Sequence, residues 1–582
     1  MSTKDQIARK VALCLSLLVL TTIVYCAPPQ KTASGDTIPS RYLPFSIILE
    51  GNFDLDEFPH LFDNAAKMTY PTQDGIPYYL RRTEDHYYSA YTIGPAILAL
   101  PVYLVPVLAG MDPESKANET LARFTAVLTT ACSAIFLFLA LQLLVSTRWA
   151  CAFLLVYAFG TVSLSISSQM MWQHGPSQLF LSLFLYLMVL GKQRYKYIPW
   201  ACLAASCAIV MRSTNALAVL PFGVLILLKH RRHLILSALL FVVPVLLLAM
   251  YYLVHFGTLG AAYEFSSLSI LSCFRQIPLH EGLYGILLSP AKGLFVYSPV
   301  LLLSIAGSAI GIRARNGIII ASTAGVLLVI LLVSQWFMWW GGHCYGYRLL
   351  ADMTPFLCFC LHPLGAKLEK SRPLAAIFLT LTVVSVCIQL VGAFRYDGRW
   401  DKIAQTDIIY ESQLNPTDGP IFFYFKEIFG IPDKRKEPDM SQRNKLHRRP
   451  LEEVFKQPLE EIPDPPKTDL SIDKRRYSAQ DTMMLRYEVT NPHRPRAMSC
   501  FFVLWFPDGN ARFFDGRNFL RPRTDTALGW MSKSPVPYHT VSVMPVSLDG
   551  LRAGSYKWHA FSTDTLFSRI ETRNSVDFII EP

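Results

Sequence analysis

The chemically promising residues in this sequence are ionisable and aromatic groups at the ends of long apolar runs, a costly placement usually retained for ion, proton or substrate work. Asp36, in Gly35-Asp36-Thr37, lies just past the first run. A partly desolvated carboxylate there can take a proton from an incoming hydroxyl as a general base, or act as a helix cap or a loop partner of Arg41. Asp54, Asp56 and Glu57 follow in the same loop as solvated acids or divalent-metal ligands, without the spacing of a calcium loop. Tyr88 belongs to the Tyr-rich stretch Tyr87–Tyr91, which suits an interfacial belt or a substrate contact. In Met171-Trp172-Gln173-His174, a Trp can stack on a sugar face and a His can donate to phosphate. Arg212, in Met211-Arg212-Ser213, grips phosphate or snorkels to headgroups. Lys292 adds a cation between Pro290 and Gly293. The richest stretch runs from Gln335 to Asp352 and gathers Trp339, Trp340, His343, Tyr345, Arg348 and Asp352 around the pair Gly341-Gly342. Carbohydrate stacking combined with anion binding explains that mixture economically. There is no phosphate-binding Walker loop, GxSxG, HExxH or dinucleotide fingerprint, so nothing supports soluble-nucleotide chemistry.

The elements that must position these groups are apolar. Of 582 residues 52% are hydrophobic and 17% charged, and the mean hydropathy is +0.30, too apolar for a cytosolic globule or a disordered chain. Apolar runs at 9–27, 121–145, 150–168, 175–190, 197–211, 214–228, 233–254, 297–312, 317–337, 348–364 and 373–392 predict about eleven membrane spans. The run 91–110 contains Pro95, Pro101 and Pro106 and is expected to lie on the outer face as a juxtamembrane segment. With that placement Lys4, Arg148, Lys192, Lys229, Arg313 and Lys367 all fall on the cytoplasmic side, as the positive-inside rule asks. The N-terminus is then inside and the C-terminus outside. The first run is read as an uncleaved span, with a cleaved signal peptide as the alternative. The 12 cysteines lie mostly in apolar runs and show no zinc spacing; Cys273, Cys344 and Cys500 are expected on the oxidising side. Asn118-Glu119-Thr120 matches an N-glycosylation sequon.

Three regions follow: a transmembrane domain over 1–394, with 28–120 as its first outer loop; a charged, Pro-rich linker over 395–470; and an exported β-domain over 471–582. Alternating runs such as Met483–Val489 and Ser555–Phe561, separated by turn residues, predict an Ig-like sandwich.

The order of the motifs GDTIPSRYLPF, YYSAYTIGPAILALPVY, MWQHGP, MRSTNALAVLPF, LLSPAKGLFVYSPVLL and WFMWWGGHCYGYRLLADMTPFL over about 30–395 resembles the GT-C superfamily of bacterial multispan glycosyltransferases. Among its groups are protein O-mannosyltransferases and lipid A aminoarabinose transferases. The resemblance implies a polytopic α-helical fold with a C-terminal all-β domain, and inverting transfer from a polyprenyl-phosphate-linked sugar to a lipid, glycan or protein acceptor outside the cytoplasmic membrane. Asp36 matches the first-loop acid that serves as catalytic base, although Thr37 stands where the best-known relatives have Glu. Arg212, Lys292, His343 and Arg348 become candidates for the donor phosphate. Arg41, Tyr88, Trp172, His174, Trp339, Trp340, Tyr345 and Asp352 become candidates for substrate contact. A divalent metal is left open, with Asp54, Asp56 and Glu57 as its ligands. The expected surroundings are the lipid bilayer, and no nucleic acid is expected. The competing expectations are a transporter or flippase of a lipid-linked saccharide, and a scaffold whose β-domain is the working part. A carrier should show internal repeats and mid-span charges, and neither is evident in the sequence.

Overall fold

The computed structural model describes residues 3–29, 34–63, 77–83, 86–229, 231–258, 274, 278–336, 338–404, 413, 418–431, 467–478, 480–490, 496–497, 499–507, 511–514, 519–521, 535–536, 539–548, 551–563 and 570–581. It is mostly helical up to Ile431 and all-β beyond Lys467.

Among the described residues, seven helical stretches are long and apolar enough to cross a membrane: Asp5–Cys26, Lys116–Gln142, His174–Gln193, Arg231–Phe256, Gly317–Ser334, Arg348–Lys370 and Arg372–Arg395. Several expose residues that water would not tolerate. On Leu234–Phe256, Ile235, Leu239, Leu247 and Val254 are between 58% and 81% exposed, an apolar surface that lipid stabilises and water penalises.

Each of the eleven apolar runs carries helix, but four of those helices are short: Thr147–Phe159, Tyr195–Met211, Asn215–Lys229 and Pro299–Arg313. The breaks fall where the chain turns polar. Thr147–Phe159 ends at Gly160 and gives way to a π-helical turn at Ser163–Ser167. Ile198–Met211 stops because Arg212 is extended (φ −157°, ψ 119°), with its guanidinium bonded to the Leu349 carbonyl and Asp352. The run expected outside the bilayer forms the helix Gly94–Leu108 despite Pro101 and Pro106. It buries Ala96, Ala99, Tyr103 and Val107 and exposes Leu104, Val105 and Leu108.

Two expectations change. The stretch expected as linker from 395 begins as folded chain: the helices Arg399–Ala404 and Pro420–Ile428 stand within it, and Trp400 and Tyr424 are fully buried in the helical core. Their rings contribute apolar burial that outweighs the polar composition around them. Asn118 is also fully buried, donating to the Pro113 carbonyl at 2.7 Å and accepting from the Tyr103 hydroxyl at 3.2 Å. Its sequon is therefore closed to modification.

The β-domain has two principal sheets. One orders His539–Ser547, Thr482–Thr490 and Lys467–Ile472 antiparallel. The other is six-stranded, centred on Gly554–Thr563 between Ile570–Ile580 and Ser499–Trp505. Met483, Leu485 and Tyr487 from the first sheet share a core with Phe502, Trp558 and Phe578 from the second, as the alternating runs require of packed sheets.

Candidate active site

The local sequence Gly35-Asp36-Thr37 forms a single 3-10 turn between the first long helix and Ile38–Phe45. Asp36 Oδ2 accepts from Arg348 Nη1, a residue 312 positions away, and Oδ1 accepts from the Tyr78 hydroxyl at 2.8 Å. The side chains of the ion pair are 16% and 13% exposed. Burial pushes the Asp36 carboxyl up, but the Arg348 charge and the hydrogen bonds from Arg348, Tyr91 and Tyr78 outweigh it and hold the group below its usual range. Gly35 makes the Tyr78 contact possible, because a Cβ there would sit 2.3 Å from the Tyr78 hydroxyl oxygen.

Arg348 opens the 3-10 helix Arg348–Met353. Its guanidinium lies 4.5 Å from the Trp172 ring centroid, a cation–π contact. Its Nε is buried with no hydrogen-bond partner among the described residues, leaving a charged group with a donor to spare. Gly341 and Gly342 pass beside it with φ of +73° and +72°, and a Cβ on Gly341 would come within 3.5 Å of Arg348 Nε. Here glycine serves both the left-handed backbone and the close approach to the cation.

One turn on, the buried Asp352 joins two more of the expected residues. Its Oδ2 accepts from Arg212 Nη1 at 2.5 Å, and its Oδ1 faces His174 Nδ1 at 3.1 Å. Trp172 and His174 are neighbours, with ring centroids 6.2 Å apart. Two carboxylates and two guanidiniums, bridged by a Trp and a His, thus meet from four separate stretches of sequence.

The other expected residues sit elsewhere. Lys292 is buried against Asp401 at 3.0 Å and donates to the carbonyls of Cys344 and Gly342. Its charge is spent holding the Gly342–Cys344 backbone, so it does not present a cation to a ligand. Trp339, Trp340 and Tyr345 were expected to stack on carbohydrate but belong to the packed core. Trp339 lies against Gly285, and Tyr345 packs on Tyr297 at 4.9 Å while its hydroxyl donates to the Ile388 carbonyl. A glycine at 285 draws the indole in, so no ring face is left open. Arg41 pairs with Glu119 at 2.9 Å rather than with Asp36. His343 is partly buried in the glycine-rich turn. Cys344 is a free, buried thiol; Cys273 and the Cys500 side chain lie outside the described residues.

The acids of the first loop form a separate cluster. Tyr88 pairs through its backbone with Asp54, and its ring packs on His255 and Phe256. Ligand atoms of Asp54, Asp56 and His86 lie within 4.8 Å of one another. Asp56 Oδ2 meets His86 Nδ1 at 2.6 Å, while its Oδ1 accepts from the Tyr87 amide. Glu57 turns instead to Asn52 and Ser46. Burial and the neighbouring Asp56 raise the Asp54 carboxyl. Two carboxylate oxygens and an imidazole nitrogen suit a first-row divalent ion.

Tyr78, His86 and Asp401 were not singled out in the sequence, and Tyr91 only as part of the Tyr-rich stretch. No spacing marks them, because each acts through a partner distant in the chain.

No family model matches this chain, and no curated protein matches it. Among solved structures it is similar to the oligosaccharyltransferase of Archaeoglobus fulgidus in three forms. The form tethered to an acceptor peptide containing the NVT sequon is 13% identical, with a TM-score of 0.38, covering 66% of this chain and 54% of that one. The complex with Zn and sulfate is 13% identical at a TM-score of 0.40, covering 67% and 55%. The apo form is 11% identical at 0.41, covering 73% and 61%. The matched part thus spans less than two thirds of that enzyme's length.

Proposed function

We propose that this chain is a membrane glycosyltransferase of the GT-C type, with about eleven spans, that moves a sugar from a polyprenyl-phosphate donor to an acceptor hydroxyl on the outer face of the cytoplasmic membrane. The observation that carries the reading is the Asp36–Arg348 pair, a proton acceptor and an anion binder in one mostly buried site, with a second guanidinium on Asp352 next to it.

The chemistry follows from that juxtaposition. The donor phosphate takes the Arg348 guanidinium, using the Nε donor that has no hydrogen-bond partner among the described residues. Asp36 thereby loses the charge that holds its carboxyl down, and its basicity rises at the moment an acceptor hydroxyl is in place. The acceptor oxygen then attacks the anomeric carbon from the face opposite the phosphate, and its proton passes to Asp36. The bond from carbon to phosphate oxygen breaks, its electron pair leaves with the polyprenyl phosphate, and the configuration inverts. Charge developing on the leaving group is met by Arg348, with Arg212 one turn away through Asp352. Removing one preorganised oxyanion donor costs about 3 kcal/mol, and guanidiniums aimed at the leaving phosphate act in the same way. Asp54, Asp56 and His86 would hold a divalent metal, which would neutralise the loop acids and fix the hairpin Leu80–Thr83/His86–Ser89.

The buried Arg212–Asp352–His174 group would also suit a carrier of lipid-linked saccharides. One experiment separates the readings: purified protein in lipid is given radiolabelled polyprenyl-phosphate sugars, and wild type is compared with Asp36→Asn. Donor consumption that the variant loses, while it folds and binds donor, supports transfer. Movement of intact donor across the bilayer without consumption supports the carrier instead.

A further inference from the structure

The helix Pro420–Ile428 is sharply two-faced. Phe423 and Tyr424 are 4% and 0% exposed, whereas Phe422, Phe425, Ile428, Phe429 and Ile431 are 53%, 50%, 42%, 65% and 55% exposed. Positions 422, 425, 428 and 429 repeat every three to four residues, so they make one stripe on one side of the helix. Three open phenylalanines in a row are an aggregation hazard in water.

The contacts of the buried face fix the height of this helix in the molecule. Tyr424 packs on Tyr396 at 5.6 Å and donates from its hydroxyl to Asp397. Those are the first two residues past Arg372–Arg395, a helix long and apolar enough to cross the membrane. That helix exposes Leu379, Val383 and Phe394 along its length, so the phenylalanine stripe continues a lipid-compatible surface at its polar end. Arg399 pins the arrangement, pairing with Asp397 at 2.5 Å and with Glu427 at 2.7 Å. Lys426, on the helix itself, and Arg395, the last residue of Arg372–Arg395, are both exposed and add positive charge. Aromatic residues on one face and cations beside them are the composition of a helix that lies in the headgroup region.

We propose that Pro420–Ile428 is an interfacial membrane helix whose Phe422, Phe425 and Phe429 insert at the boundary between headgroups and acyl chains of the phospholipid bilayer. The inference rests on reading Arg372–Arg395 as a membrane span. Through Trp400 and Asp401 the same segment touches Tyr424 on one side and Lys292 on the other, and Lys292 holds the glycine-rich turn, so three contacts lead from this helix to that turn.

The test uses the full chain in phosphocholine nanodiscs, with an azide-bearing residue at 425, 383 or 486 coupled to an environment-sensitive fluorophore. Shallow doxyl-labelled lipid should quench the probe at 425, and aqueous cobalt should quench it at least ~5-fold less than the probe at 486, an exposed β-strand position. Cobalt quenching at 425 equal to that at 486 would overturn the proposal. So would shielding from both quenchers, which would mean that protein covers the stripe. Failure of doxyl lipid to reach position 383 would instead sink the membrane reading itself.

Discussion

Asp36 is tied to its surroundings by one charge and two tyrosines, and the carboxylate and its charged partner each predict a measurable change. Asp36→Asn keeps the shape and removes the proton acceptor, so sugar transfer should fall about 10²–10⁴-fold with donor binding retained; unchanged turnover would remove Asp36 from the chemistry. The pH dependence has a definite sign. A carboxyl whose folded pKa lies below its unfolded value of about 3.9 adds stability above that pH and loses it as pH falls through the folded value. In Arg348→Met the largest lowering influence is gone while burial still raises the group, so the folded value moves up toward the unfolded one and the acid loss carried by this carboxyl should shrink relative to wild type. Thermal unfolding of both proteins between about pH 3 and 7 measures this, and superimposable acid limbs would show that Arg348 does not control Asp36.

At the scale of elements, the glycine-rich turn and the helix Arg348–Met353 form a cradle clamped from outside by Lys292 and Asp401. Both side chains are almost fully enclosed, at 2% and 3% exposure. Removing one member leaves a buried charge unanswered, at a cost of about 3–5 kcal/mol, whereas an apolar pair of similar volume is often neutral. Asp401→Ala should therefore lower the unfolding temperature markedly, and Lys292→Met with Asp401→Leu should recover most of the loss. If the double variant recovers stability but binds donor poorly, the clamp positions the turn; full recovery of both makes the charges dispensable. The hairpin that carries His86 yields a separate expectation. Zinc should raise the unfolding temperature of wild type and leave a His86→Ala, Asp56→Asn variant unmoved, read alongside metal content after dialysis. Equal shifts in both proteins would place the ion elsewhere.

Over the whole molecule, the sequence showed the apolar helices plainly, because hydrophobic runs are local and their length is a physical requirement. It also showed Asp36, Arg348, Arg212, His174 and Asp352 as residue types out of place. Their pairing was not legible, since nothing local ties Asp36 to Arg348 or Arg212 to Asp352. Trp339, Trp340 and Tyr345 misled because an aromatic cluster reads the same whether it lines a groove or fills a core; only the glycines at 285 and 392, against which Trp339 and Tyr345 pack, decide for the core. Trp400 was hidden by its charged neighbours. Topology remains a property of the whole chain, and it is checkable with fusions. Alkaline phosphatase joined after Pro582 should be active and one joined after Lys196 inactive; the reverse pattern would invert the orientation argued from the basic loops.

The Asp36–Arg348 contact has a consequence for how tightly any donor can bind. Asp36 is a tethered competitor, an anion that the fold presents to Arg348 Nη1 at a high local concentration, and a phosphate that takes the whole guanidinium must displace it. The apparent affinity is then the intrinsic affinity reduced by the fraction of molecules in which Arg348 is free. In the reaction proposed above, the carboxylate that takes the acceptor proton would also act as a gate against sulfate, lone phosphate and anionic headgroups, which bring too few other contacts to evict it.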